Sequence, residues 1–217
     1  LHVIASVFIS LRLAGVVAGE APSPQNADAS APKMSPRIVH GDGYIGSDAC
    51  RNCHVDQHAS WHASYHRTMT QVASPASVRA SFDGTELSLE DTRWQLEKRG
   101  EEFWVRGRPE SLSELAPATE VERRVVMTTG SHNYQLYWLE EQEKGAGMGQ
   151  FPLVYLLEQG LWAPRKSRFL GPSIAKTSNE TGRWQRHCIK CHATHGQQEH
   201  LPSRETRVAE LGISCEV

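Results

Sequence analysis

This chain lacks a surplus of either charge and a long apolar run. Lys and Arg number 23 against 25 Asp and Glu, a formal net charge of -2, so the basic footprint of a nucleic-acid binder is absent. The apolar stretch from Val3 to Gly19 is broken by Arg12 and falls short of the ~20 residues that cross a bilayer. Aromatic residues make up only 7%, and there are four methionines. No repeat covers the whole chain. Gly145, Gly147 and Gly149 do not keep the G-x-G-x-x-G spacing of a phosphate cradle. With 217 residues, 39% hydrophobic and 22% charged, neither a disordered chain nor a multispan membrane protein fits. The length suits one sizeable domain or two small ones. Five cysteines and eleven histidines remain to be explained.

The chain opens on Leu1 and closes on Gly212-Ile213-Ser214-Cys215-Glu216-Val217, so the expectation is a piece of a longer protein. Residues 1–21 read as a signal peptide, with small residues at Val17 and Gly19 and cleavage between Gly19 and Ala21. The competing reading is a disordered or cytosolic tail, which the missing positive n-region favours. Export implies a periplasmic or otherwise extracytoplasmic protein, associated with a membrane only if this segment stays uncleaved. Residues 22–43 read as a flexible linker, rich in Pro, Ser and Ala without apolar periodicity. Residues 44–217 form the main domain.

Ser47 or Asp48 can cap a helix running toward His66. The period then changes. Leu87 and Leu89, Trp94 and Leu96, and Phe103 and Val105 alternate with polar residues, and Lys98-Arg99-Gly100-Glu101 makes a turn. Val125–Met127, Tyr134–Leu139 and Leu153–Leu157 are further strand candidates, so 82–162 is expected to be β-rich. Short helical turns are expected around Trp184–His195 and Arg204–Leu211.

Four of the five cysteines fall into two strings, Cys50-Arg51-Asn52-Cys53-His54 and Cys188-Ile189-Lys190-Cys191-His192. C-x-x-C-H is the attachment pattern of haem c. Two thiols reach the two vinyl groups on one porphyrin edge, and the next residue swings its imidazole under the ring as proximal ligand. Cys50, Cys53, Cys188 and Cys191 are therefore thioether candidates, and His54 and His192 iron ligands. Chance produces one such string in roughly one chain in two hundred of this composition. A four-cysteine zinc site would leave both histidines spare and needs roughly 130 intervening residues, long for a ribbon. A thioredoxin-like redox pair lacks its β-α-β context. Cys215-Glu216-Val217 reads as the first three residues of a third string, cut short. The cofactor expectation is haem c, with two complete attachment sites and a third truncated at Cys215.

At these residues the chain resembles multihaem c-type cytochromes of the cytochrome c-554/c-prime family. The resemblance runs from Tyr44-Ile45-Gly46-Ser47-Asp48-Ala49-Cys50 through Cys53-His54, Trp61, Ser64 and His66. It continues in Gly130-Ser131-His132 with Gln135 and Tyr137-Trp138, in Phe151-Pro152-Leu153-Val154-Tyr155 and in Trp162-Ala163-Pro164-Arg165. Cys188–Gly196 and the terminal Gly212–Glu216 complete it. The resemblance implies an exported electron carrier that exchanges electrons with redox partner proteins. The alternative is a redox enzyme acting on a small nitrogen or oxygen species at an open haem. The expected fold is α+β with much irregular structure: short helices around covalently bound haems and a small antiparallel sheet in the middle of the chain.

A second histidine on the far side of iron gives a low-potential carrier, and the histidine excess over methionine favours that arrangement. His66 is a candidate as part of Ser64-Tyr65-His66, His132 as part of Gly130-Ser131-His132, and His195 as a ligand to a neighbouring haem. His58 lies one helical turn from His54, about 6 Å along the axis, too close to reach round the same haem. It is expected in solvent, with a His54–His58 zinc or copper pair as runner-up. His40, His187 and His200 have no supporting context. Arg165, Lys166 and Arg168 form a basic cluster, read as a solvated loop or as partners for haem propionates.

Overall fold

The computed structural model describes residues 35–89, 91–109, 120–140, 147–167, 184–198 and 205–217. The expected signal peptide, Gly145, Arg168 and His200 lie outside them. In chain order come β1 (Arg37–Ile38), α1 (Val55–His62), α2 (Tyr65–Thr68) and β2 (Thr70–Val72). Next are β3 (Asp83–Leu89), β4 (Thr92–Arg99), β5 (Glu102–Pro109), β6 (Val121–Thr129), β7 (Tyr134–Glu140), β8 (Met148–Leu156) and β9 (Leu161–Pro164). α3 (Ile189–His192), β10 (Ala193–Thr194), β11 (Gln197–Gln198), β12 (Thr206–Val208) and β13 (Glu210–Leu211) follow.

β3 to β9 pair antiparallel in sequence order, a continuous meander. Alternation builds it. In β4 and β5, Leu96 lies opposite Val105 and Trp94 opposite Gly107, all on the inner face. A Cβ on Gly107 would come within 2.6 Å of the Trp94 ring, so glycine is what lets the indole lie across the strand. The sheet curls until strands that are not neighbours meet. Trp94 of β4 packs edge-on against Phe151 of β8 at 5.2 Å, and Trp162 of β9 reaches Tyr137 at 5.3 Å and Phe82 at 6.3 Å. Phe82, Leu96, Phe103, Val105, Tyr137, Leu139 and Phe151 fill this barrel-like interior.

β7 is buried on both faces. Tyr137 and Leu139 point into the interior, while Leu136 and Trp138 join Val126, Met127 and Val154 in a second core on the outer face. A bulge between Val125 and Met127 accompanies four consecutive buried residues of β6, Val125 to Thr128. Trp184, Ile189, Ala193 and Val208 cover that outer face. The second C-x-x-C-H string thus packs on the sheet.

The expected α+β fold with helices around haems is not what forms. The described residues are mostly strand, with one helix of eight residues and two of four. The sheet is large, because alternating β3, β4 and β5 continue into β6 to β9, of which β7 is buried on both faces. The expected run of helix from Ser47 to His66 breaks at Ala63, and Ser64 restarts it by accepting a hydrogen bond from the Arg67 amide. The helical turn expected at Arg204–Leu211 is instead β12 and β13. Thr206 and Val208 alternate with exposed Arg207 there, and β12 pairs with both β1 and β11. Arg37–Ile38, inside the stretch read as linker, supply β1.

Candidate functional site

The first string sits on a tight backbone. Gly46, at φ 87°, leads into a 3-10 turn over Ser47–Cys50, and the His54 amide donates to the Cys50 carbonyl at 2.9 Å. α1 then continues, with the His58 amide donating to His54 at 2.8 Å. Cys50 is half-buried, while Cys53 and His54 are exposed. Carboxylates from the end of the chain hold this turn. Glu216 accepts from the Ile45 and Gly46 amides, each at 2.9 Å, and Glu210 accepts from the Ser47 amide at 3.0 Å and its hydroxyl at 2.5 Å. The Cys215 amide donates to the Ser47 hydroxyl at 2.9 Å. Burial, followed by the charges of Cys215, Glu216 and Glu210, raises the Cys50 thiol pKa. Cys215 is therefore a neighbour of the first string.

The second string rises from a π turn over Trp184–Cys188 into α3. Trp184 is fully buried, meets Trp138 edge-on at 5.7 Å and donates to the Thr206 hydroxyl at 3.2 Å. Cys191 is exposed, and Cys188 and His192 are half-buried. Burial raises the Cys188 thiol pKa, with the Arg165 guanidinium pulling the other way. Burial also lowers the His192 pKa, and its Nδ1 is buried without a partner. A neutral imidazole is the form that ligates a metal.

A cavity of about 440 Å³ opens between α2, the β6–β7 turn and this string. Its lining includes Cys188, His192, His66 and His132, with Tyr65, Met69, Leu136 and Trp138 as apolar and aromatic wall. His132 lies on the Tyr65 ring at 4.3 Å, and Ser131 bonds the Thr68 hydroxyl at 2.9 Å, tying turn to helix. Gly130, at φ 98°, makes that turn possible, since a Cβ there would collide with the Tyr134 carbonyl. A second, more open groove of about 680 Å³ follows one face of α1 along Asp56, Gln57, Ser60 and Trp61, and ends at His66 and Ile213. His66 borders both hollows.

His195 lies elsewhere. It stacks on Tyr44 at 4.5 Å, and its Nε2 is 2.8 Å from the Gln197 amide nitrogen and 3.4 Å from Asp42. His58, expected in solvent, is only 4% exposed. Trp61, one turn along α1, and His62 cover its ring at 5.2 and 5.9 Å, and Asp48 stands 3.5 Å away, too far for a hydrogen bond. Among the described residues no three His, Cys, Asp or Glu side chains gather into a metal-holding group, so the two cysteine pairs do not make a four-cysteine zinc site. Arg165 stands by Cys188, and its buried Nε has no partner.

Residues 162–217 match the profile of the family described as Cytochrome c554 and c-prime. That span is about a quarter of the chain and takes in the second string and Cys215, while the first string lies outside it. The match supports a c-type cytochrome, and with it a haem-binding, electron-transfer protein. No curated protein and no solved structure matches the chain significantly. Among the described residues no helix is long and apolar enough to cross a membrane.

The second string fits the haem c that the match to the c554 and c-prime family implies. It offers paired thiols, a neutral imidazole with a buried nitrogen lacking a partner, and an apolar-walled hollow beside them. Sequence reasoning missed Met69, which stands one helical turn after Tyr65, a spacing that marks a shared face.

Proposed function

We propose that this chain is an exported, multihaem c-type cytochrome that passes electrons between redox partner proteins. Cys188 and Cys191 would hold one haem c through thioethers, with His192 ligating its iron. Cys50, Cys53 and His54 would hold another, with Cys215 beside them. The observation that carries the reading is the hollow that collects Cys188, His192, His66 and His132, residues far apart in sequence. Haem iron supplies the one-electron chemistry, and the protein sets its potential by ligand identity, burial and hydrogen bonding. His192, kept neutral by burial, provides the proximal nitrogen. His66 and His132 would offer further imidazoles to the iron, and Trp138 and Leu136 give the hollow an apolar wall.

The test is attachment. The protein, produced in a host that matures c-type cytochromes, should retain its haem through acid–acetone extraction and show two haem adducts by mass spectrometry. Haem that extracts freely would overturn the reading.

A further inference from the structure

We infer that the segment Gly212–Ile213 sets the position of the two haem strings relative to each other, with Gly212 as a positioning residue. The inference rests on the haem reading above and adds a residue pair that lies outside both C-x-x-C-H strings. The Gly212 amide donates to the carbonyl of His192 at 3.0 Å, in the second string. The next amide, Ile213, donates to the carbonyl of His66 at 3.0 Å, and the Ile213 carbonyl accepts from the Trp61 indole at 2.7 Å. Both latter partners belong to the helical segment that follows the first string. Two consecutive residues therefore join the proximal histidine of one string to α1 and α2 beyond the other.

Gly212 allows no side chain in this place. Its φ is 79°, and a Cβ would stand 2.6 Å from the His66 carbonyl oxygen and 2.7 Å from that of Arg67. Both obstacles are backbone, so any side chain must push α2 away or break the bond to His192. His66 would move with α2, and it borders both hollows. The segment is anchored on both sides: the Thr194 hydroxyl donates to the Gly212 carbonyl at 3.0 Å, and the Ser214 amide donates to Thr194 at 2.9 Å. Strain at Gly212 is thus passed to His66 rather than relieved at the chain end.

The test compares three variants of the haem-loaded protein. Gly212→Ala changes both backbone strain and position. Gly100→Ala is the control, since Gly100 has φ 61° in the β4–β5 turn with no atom within 4 Å of an added Cβ, so strain appears there without displacement. Trp61→Phe removes one bond of the segment and leaves its backbone intact. Gly212→Ala should keep both covalent haem adducts, shift at least one midpoint potential and raise the high-spin share of the spectrum. Trp61→Phe should shift the same quantities in the same direction by less, and Gly100→Ala should leave them unchanged. In haem-free protein, Gly212→Ala should speed hydrogen exchange at the Ile213 amide while Gly100→Ala does not. Unchanged potentials and spin state in both Gly212→Ala and Trp61→Phe would overturn the inference, as would an equal shift in Gly100→Ala. Should Gly212→Ala not fold, Trp61→Phe decides alone. Loss of covalent haem from the unsubstituted protein would instead sink the cytochrome reading, and the exchange measurement would still judge the positioning role.

Discussion

The two C-x-x-C-H strings share a motif and differ in what holds them. The second is pinned by side chains it buries: Trp184 and Ile189, on and just after its π turn, sit in the outer core of the sheet. The first is held through the turn that leads into it: the Glu210 and Glu216 carboxylates accept from the Ile45, Gly46 and Ser47 amides, and the Ser47 hydroxyl accepts from the Cys215 amide. Its helix α1 buries only His58. A string resting on a packed sheet has its apolar surroundings supplied by the protein. A string resting on an exposed helix has few of its own, so a haem held there would supply them and couple binding to ordering.

The strongest way to break this contrast is Trp184→Ala. Removing a buried indole costs about 3–5 kcal/mol, and urea denaturation should show that loss with attachment at Cys188 and Cys191 impaired. Attachment at the first string should survive under conditions where the sheet remains folded. Equal loss at both strings would erase the distinction.

The next largest effect is spectroscopic. Replacing a distal histidine opens the iron, so His66→Ala or His132→Ala should give a high-spin, carbon-monoxide-binding haem at higher potential. His195→Ala and His58→Ala should leave the low-spin spectrum intact, since one ring lies on Tyr44 and the other is enclosed by Trp61 and His62. An open haem in His195→Ala, with none in His66→Ala or His132→Ala, would reverse the assignment.

Ser47→Ala should be milder and confined to the first string. It removes a fully buried hydroxyl that donates to Glu210 and accepts from the Cys215 amide, a loss of about 1–3 kcal/mol. Amide exchange should rise at Ser47 and Cys215 and stay unchanged at Ile189. The smallest effect concerns neither string. Hydrogen bonds from Arg99 and Arg106 pull the Glu122 carboxyl from 4.5 down to about 2. Its contribution is complete above pH 4.5 and fades as pH falls toward 2. Glu122→Gln should flatten the acid limb of the stability curve slightly and leave haem spectra untouched.

Much of the sheet is legible in the sequence because its strands have one buried face. Leu96, Phe103 and Val105 announce themselves by alternation. β7 does not alternate, since Gln135 to Leu139 are all buried, and only the sheet context shows that two cores share it. The short strands near the end read as helix because their partners are remote: β12 pairs with Arg37–Ile38. At the site, both strings are legible from spacing alone. His66 and His132 come from resemblance, and their meeting at one hollow depends on the sheet. The same resemblance points to His195, whose contacts with Tyr44 and Asp42 cross some 150 residues and leave no local trace. His58 misleads for a related reason, because a helix position says which residues share a face and not what covers it.

The pairing of β2 with β6 has a mechanical consequence. β5 leaves one edge of β6 at Val125, and β2 takes over from Met127 to Thr129. His66 precedes β2 and His132 follows β6, while the Gly130 amide donates to the Met69 carbonyl at 2.7 Å. The two histidines thus hang from adjacent rungs of one ladder, like the jaws of a caliper whose beam is the sheet. Bending of the sheet carries both jaws together and preserves the gap between them. Their distance from His192, which belongs to the layer packed outside, is set separately, by the Gly212 and Ile213 amides that bond the His192 and His66 carbonyls.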